Sequence, residues 1–126
     1  MEEKKRNDLG SIRLSNEVVG TIAGLTTQGV KGVAGMSAGI IDGLAKRLTG
    51  DQLMKGIKVE VGTREAALDI FIIAEYGVRI PEVAWQIQQA VKRAVEDMTG
   101  LSVVEVNIYV QGIHIEKEAP PQKRVN

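Results

Sequence analysis

The stretch RIPEVAWQIQQAVKRAVEDMTG, residues 79–100, decides the fold. Its apolar residues recur every three or four positions, which predicts an amphipathic helix over residues 81–99. Pro81 suits the first helical position, because its missing N–H would be unpaired there anyway. Gly100 can adopt the left-handed conformation that ends a helix. The stripe expected to be buried consists of Val83, Ala84, Ile87, Val91, Ala94, Val95 and Met98.

Strands are predicted on both sides of this helix. Upstream, residues 67–75 (ALDIFIIAE) are apolar on both faces, which is typical of a central strand. Before them, Ile57, Val59 and Val61 alternate with polar residues, which predicts a strand with one solvent-exposed face. Downstream, the residues expected to point inward are Val104, Val106, Ile108 and Val110. After Gly112 the apolar residues switch to the odd positions Ile113 and Ile115, which indicates a bulge or a bend at Gly112.

The N-terminal half predicts a second long helix. Residues 11–14 alternate like a short strand with Ile12 and Leu14 inward, and Ser15 then fits a helix N-cap. The helix is expected over residues 16–30, with a buried face formed by Val18, Ile22, Leu25 and Gly29 and flanked by Val19, Thr26 and Val30. A shorter apolar stripe predicts a third helix near residues 38–49.

Together these elements predict an α+β fold in two layers. A mixed or antiparallel sheet of three or four strands is covered by the two main helices and the short third one. The sheet order is left open, since a ferredoxin-like and a KH-like arrangement both fit the element order. A single domain is expected over residues 10–116, between a flexible N-terminal tail of residues 1–9 and a flexible C-terminal tail of residues 117–126.

The composition argues against several classes of function. The chain has 126 residues, of which 44% are hydrophobic and 25% charged, and its formal net charge is zero. A nucleic-acid-binding protein usually carries a basic excess, so neutrality argues against that class. The absence of cysteine excludes disulfides, thiolate metal sites and cysteine nucleophiles. The charged start does not resemble a signal peptide, and no apolar run is long enough for a membrane span, which predicts a cytoplasmic protein.

Catalytic chemistry is not indicated. His114 is the only histidine, so neither a histidine metal site nor a serine triad can be assembled at ordinary spacing. Three carboxylates fall in one run of strand, turn and helix start, namely Asp69, Glu75 and Glu82. A pair of them could perform acid–base work, but each has a structural explanation in its element. No phosphate-binding motif follows a strand, and we expect no catalytic residue, metal or cofactor.

One short pattern points to RNA. Gly32-Val33-Ala34-Gly35 is a GxxG sequence between two candidate helices, as in a KH domain, which clamps nucleotides with such a loop. The loop residues of this alternative are Lys31, Gly32 and Gly35. The interior of the pattern is Val-Ala, without a basic residue for phosphate contact, and four residues in a glycine-rich segment match easily by chance.

Trp85, the only tryptophan, lies away from the predicted buried stripe. Either another segment covers its ring, or the ring is exposed as an anchor for a partner, since tryptophan is enriched in interface hot spots. The candidate contact surface is Trp85 with Gln89 and Lys92, and Tyr109 on the outward face of the last strand is a second candidate.

Three blocks of sequence carry a family resemblance. GSIRLSNEVVGTIAG (residues 10–24), VKGVAGM (residues 30–36) and the long block EYGVRIPEVAWQIQQAVKRAVEDMTGLSVVEVNIYVQGI (residues 75–113) resemble the alkaline-shock-protein family of Gram-positive bacteria. The likeness covers residues 10–115 and is loosest over residues 37–56. It implies a small, non-enzymatic protein of the envelope stress response, in some members linked to lipid synthesis or to a membrane-anchored partner.

We therefore expect an adaptor or regulatory protein of envelope stress or envelope lipid homeostasis that acts by binding another protein. The expected partner is a membrane-anchored protein or a lipid-synthesis enzyme, with a homo-oligomer as a further option. Association with the membrane would be through that partner. The KH-like RNA-binding module stays open as the alternative at this point.

Overall fold

The computed structural model describes residues 4–37 and 56–116. Within these ranges it confirms the α+β fold predicted from the sequence. The elements, in chain order, are β1 Lys4–Asn7, β2 Gly10–Arg13, α1 Asn16–Gln28, β3 Val33–Met36, β4 Ile57–Val61, β5 Glu65–Glu75, α2 Ile80–Thr99 and β6 Ser102–His114. The helix predicted near residues 38–49 and the predicted C-terminal tail lie outside the described residues.

Strand β5 lies at the centre of a four-stranded mixed sheet. One edge of β5 pairs in parallel with β6 along its whole length. The other edge pairs antiparallel with β4 over the first half of β5 and with β3 over the second half, so β3 and β4 lie end to end. The strands joined by α2 are immediate neighbours, which differs from the split crossover of a ferredoxin-like fold.

The junction between β3 and β4 lies at a single residue of β5. The Ser37 N–H donates to the Phe71 carbonyl at 2.9 Å, and the Phe71 N–H donates to the Gly56 carbonyl at 2.8 Å. Ser37 and Gly56 therefore lie beside the same residue of β5.

The two faces of β5 differ in burial. The side chains of Ala66, Leu68, Ile70, Ile72 and Ala74 are at most 1% exposed and form the core beneath the helices. The alternate residues, including Phe71 and Ile73, are half-buried on the other face. The prediction of a central strand is confirmed, but this second face, which we call the open face, lacks a covering layer among the described residues. In β4, Ile57 and Val59 are buried and Lys58 and Glu60 are exposed, as the alternation predicted.

Helix α2 matches its prediction closely. Pro81 occupies the first turn, and Gly100 ends the helix with a left-handed φ of 80°. The buried residues Val83, Ile87, Val91, Val95 and Thr99 repeat every four positions. Met98 was expected in this stripe but is 71% exposed. Each step of four residues rotates the buried stripe by about 40° around the helix, which brings it to Thr99 and away from Met98 in the last turn. Neither helix of the described residues combines the length and hydropathy needed to cross a bilayer.

Helix α1 begins as predicted but buries a different face. The Ser15 side chain caps it by accepting a hydrogen bond from the Val18 N–H. The buried residues are Val19, Gly20, Ala23 and Thr27, whereas Val18 and Leu25, expected inside, are 42% and 69% exposed. Ile22 packs against the core as predicted. Small residues let a helix backbone approach its neighbours closely. At Gly24 an added Cβ would make ordinary contact with Ile57 Cδ1 at 3.5 Å. The buried face of α1 is therefore the one with the smaller residues, not the more apolar one.

Strand β6 contains two irregularities. The first shifts the register so that Val103 and Glu105 are the partners of consecutive residues of β5. Val103 is therefore buried and Val104 is 56% exposed, against the prediction that Val104 points inward. The second lies at Gly112, where the parity change had predicted a bulge. A Cβ at Gly112 would come within 3.0 Å of Ile73 Cδ1, so glycine fits this bend.

A small hairpin precedes α1. Strands β1 and β2 pair with each other, and Lys4–Asn7 therefore lies within the segment that we expected to be a tail. Leu14 packs against the core, but Ile12 is 56% exposed because β2 pairs with β1 instead of joining the main sheet. The inward orientation predicted for Ile12 is wrong.

Candidate partner-binding surface

One side of α2 is held against the outer edge of β6 by three polar side chains. Gln88 Nε2 donates to the Val106 carbonyl at 2.9 Å. Lys92 Nζ donates to the Val103 carbonyl at 3.3 Å, and the Val103 N–H donates to Glu96 Oε2 at 2.8 Å. Side chains of the helix thus satisfy backbone groups at an edge where a further strand would otherwise bind.

The same contacts shift the titration of Glu96. A hydrogen bond from Lys92 and a second from the Val103 N–H lower the pKa of this carboxyl below its ordinary value of 4.5. A carboxylate whose folded pKa is lowered stabilises the fold above its unfolded pKa, and the stabilisation is lost as the pH falls through the folded pKa.

We expect Glu96→Gln to lower the free energy of unfolding at neutral pH, and we expect the difference from wild type to shrink as the pH falls below the ordinary carboxyl pKa of 4.5. Urea unfolding from pH 7 to pH 3 measures this difference. Asp97→Asn, an exposed neighbour on the same helix, serves as the control. A difference between Glu96→Gln and wild type that is constant over the whole series would contradict the assignment.

Trp85 lies on this same side of α2. At 100° per residue its side chain is within about 20° of those of Lys92 and Glu96 around the helix. It is 58% exposed, so the described residues leave most of its ring uncovered. Gln89 is also exposed beside it, whereas Lys92 is committed to Glu96 and to the β6 backbone. Of the predicted surface, Trp85 and Gln89 are therefore available, and Lys92 orders the strand edge.

Tyr109 lies on the opposite side of β6, on the open face. Its ring stacks on Phe71 with centroids 4.7 Å apart and an angle of 15° between the planes. Offset stacking of this kind holds both rings in place, and Tyr109 stays 44% exposed. The structure therefore places the two predicted contact residues on the two faces flanking one strand, and does not bring them into a single pocket.

A shallow depression beside Tyr109 was missed by the sequence reasoning. It measures about 260 Å³ and is lined by Lys58, Val59, Glu60, Ala67, Asp69, Glu105, Asn107 and Tyr109. Its three carboxylates outnumber its one lysine, so the depression is acidic. The polar positions of β4, β5 and β6 were visible in the sequence, but their convergence depends on the sheet order, which periodicity does not give.

The three carboxylates considered for catalysis are separated. Asp69 accepts a hydrogen bond from Asn107 Nδ2 at 2.9 Å, Glu75 lies 3.2 Å from His114 Nδ1, and Glu82 pairs loosely with Arg79. Asp69 and Glu75 are six residues apart on one strand, or about 20 Å. Within residues 4–37 and 56–116, no three acidic or histidine side chains are grouped to hold a metal.

The GxxG alternative is not favoured by the structure. Val33–Met36 forms β3, and Gly35 is paired with Ile73 of the sheet. Gly32 adopts a φ of 104° in the turn before β3, where an added Cβ would come within 2.7 Å of Val83. The backbone of this segment is occupied by strand pairing, unlike a loop that clamps nucleotides between two helices, although Lys31 is exposed. The acidic open face would also repel phosphates.

Comparison with known proteins identifies one matching family and several relatives. A model of the alkaline-shock-protein family, described by its cell envelope-related function, matches residues 4–115. The uncharacterized protein YloU of Bacillus subtilis is 37% identical over 117 residues, covering 91% of this chain and 98% of its own length. YqhY of the same organism is 32% identical over 111 residues, covering 88% and 82% respectively. A stress response regulator gls24 homolog of Streptococcus pyogenes is 31% identical over 115 residues, covering 90% of this chain and 64% of its own length.

Proposed function

Because the chain belongs to the alkaline-shock-protein family, whose function is envelope-related and whose members include stress response regulators, we propose that it is a non-enzymatic adaptor of the envelope stress response. It acts by binding other proteins, from the cytoplasm. Its partner is a membrane-anchored protein or an enzyme of envelope lipid synthesis, and association with the membrane occurs through that partner.

The observation that carries this proposal is the exposure of Trp85. A tryptophan ring that is 58% exposed and flanked by Gln89 is a large apolar surface on an otherwise polar side of α2. Tryptophan gives up little conformational entropy for the area that it buries, which makes it a frequent anchor in protein interfaces. Tyr109, held by Phe71 on the open face, supplies a second aromatic contact.

The distribution of polar groups supports binding over catalysis. The acidic side chains of the described residues are paired with neighbours or dispersed over the sheet, and His114 is half exposed in its pair with Glu75. A catalytic site brings groups with complementary roles together around one reacting atom. The open face offers instead a broad, shallow and acidic surface, which suits a macromolecular partner.

Replacing Trp85 by alanine is expected to reduce partner recovery by about tenfold or more, the loss typical of an interface hot spot. Affinity capture from cells after crosslinking, quantified by mass spectrometry, compares wild type, Trp85→Ala and Tyr109→Ala. Met98→Ala is the matched control, since Met98 is an exposed apolar residue of the same helix. Equal recovery of every protein by wild type and the two aromatic variants would exclude these surfaces as partner sites.

A further inference from the structure

The outer edge of β6 is partly unpaired. In a regular parallel ladder, successive residues direct their backbone groups alternately to the two sides of the strand. Val106, whose carbonyl accepts from Gln88 of α2, faces away from β5, and so do Ile108 and Val110. Among the described residues, β6 pairs with β5 alone, and nothing bonds to the outward groups of Ile108 and Val110.

The outer edge of β6 is covered by α2 at its beginning and, within the described part of the chain, uncovered further along. Its beginning is covered by α2, since Glu96 and Lys92 bond to Val103 and Gln88 bonds to Val106. Beyond Val106 no such cover exists among the described residues. Natural sheet edges are generally protected by charges, prolines or bulges. The unpaired part of this edge consists of β-branched residues between two bulges, which is the composition of a strand that accepts another strand.

Trp85 lies beside the uncovered part. Gln88 reaches Val106, and α2 runs antiparallel to β6, so earlier helix residues lie beside later strand residues. Trp85 precedes Gln88 by three positions, or about 4.5 Å of helix, which corresponds to between one and two strand residues. The exposed ring therefore projects over the edge near Ile108.

The helix-facing side of β6 becomes progressively exposed in the same direction. Val103 and Val106 are 5% and 9% exposed, Ile108 and Val110 are half-buried, and Ile113 is 46% exposed. An unpaired backbone edge, an apolar strip and an exposed tryptophan therefore coincide. This is the combination by which a β-strand is added to a sheet, with the backbone giving affinity and the side chains giving specificity.

We propose that the strand added at this edge is β6 of a second copy of the chain, paired antiparallel about Ile108. The proposal goes beyond the proposed function and does not depend on it, because it concerns the strand edge beside Trp85 and a second copy of the same chain. Antiparallel pairing about Ile108 places Val106 opposite Val110 and Asn107 opposite Tyr109 of the second copy. The arrangement is isologous, as most homodimer interfaces are.

The edge is complementary to itself. Val106, Ile108 and Val110 direct their backbone groups outward, so the same alternation in both copies brings donors opposite acceptors. None of residues 106–110 is charged, and the chain has no net formal charge, so neither the contact nor the whole molecule repels its copy. The helix contacts at Val103 lie outside the paired region, whereas the Gln88 side chain has to release the Val106 carbonyl to the Val110 N–H of the second copy.

Sedimentation velocity on the purified full chain over a concentration series tests the pairing, with the emission of the single tryptophan recorded in parallel. We expect a dimer that dissociates on dilution, and a shift of Trp85 emission to longer wavelength as it dissociates. Trp85→Lys places a charge in the contact. Val110→Pro removes an outward N–H, a change tolerated at an edge without loss of the β5–β6 ladder. Each should raise the dimer dissociation constant by about tenfold or more.

Met98→Lys adds the same charge at an exposed position in the last turn of α2 and should leave the dissociation constant unchanged. Circular dichroism establishes whether each variant is folded. If Val110→Pro is unfolded, the dissociation constant of Trp85→Lys alone tests the proposal. A monomer at every concentration, or a dimer that neither edge variant weakens, would overturn the proposal. So would an equal effect of Met98→Lys.

The outcomes separate this inference from the proposed function. A monomeric chain that recovers other proteins in a Trp85-dependent manner overturns the second copy as the occupant and leaves the adaptor function standing. A dimer that responds to the edge variants but recovers no other protein supports the pairing and contradicts the adaptor function.

Discussion

Replacing Ile70 by alanine is expected to lower the free energy of unfolding by about 2–5 kcal/mol. Ile70 is fully buried at the middle of β5 and points into the helix-facing core. Removal of its side chain loses the transfer free energy of the deleted methyl and methylene groups, and a cavity remains because strands on both sides of β5 restrict collapse. Urea unfolding followed by circular dichroism measures the change.

Ile12→Ala is the matched control for this experiment. The same side chain is 56% exposed in the β1–β2 hairpin, so its truncation should change the free energy of unfolding by less than about 1 kcal/mol. Similar losses in the two variants would contradict the assignment of the helix-facing side of β5 as the core.

Gly56→Ala is expected to destabilise the protein by about 3 kcal/mol or more. Gly56 has a φ of +88°, and an added Cβ would lie 2.7 Å from the Ser37 carbonyl oxygen and 3.0 Å from that of Phe71. The positive φ costs an alanine about 1–2 kcal/mol, and the steric conflict adds about 1–3 kcal/mol. The conflict is with backbone atoms, which cannot rotate away as a side chain can.

Gly77→Ala separates these two contributions. Gly77 has a φ of +98° but no atom within 4 Å of an added Cβ, so only the conformational cost of about 1–2 kcal/mol applies. Thermal or urea unfolding of both variants gives the difference. Equal destabilisation at the two positions would show that Ser37 and Phe71 do not enclose Gly56 as described.

The sequence predicted β5 and α2 well because their patterns are strong and local. A run apolar on both faces indicates a central strand, and a four-residue apolar repeat between Pro81 and Gly100 fixes the helix and its ends. The buried face of α1 was predicted wrongly because apolar character was weighed above size. Glycine, alanine and threonine permit a helix to approach its neighbours closely. A hydrophobicity pattern contains no information on the distance between packed elements.

Errors in β6 have a different cause. Val104 alternates correctly with its neighbours, and only the register shift against β5 turns it outward. A bulge is a property of two strands, so a pattern read along one of them does not determine its position unless a residue such as Gly112 marks it. The acidic depression and the unpaired edge depend on the sheet order for the same reason. The position of Trp85 away from the buried stripe was predicted from the sequence, since departure from a helical stripe is a local property.

The bonds that Ser37 and Gly56 make with Phe71 have an engineering consequence. Both attachment points are fixed by the sheet and nearly touch, so extra residues placed between positions 38 and 55 need not displace β3 or β4. The entropy of closing a flexible chain segment between two fixed ends rises slowly, by about 0.6 kcal/mol for each doubling of its length. This junction is therefore a suitable point at which to graft a fluorescent reporter or an epitope while the strand ends, Trp85 and the edge of β6 keep their positions.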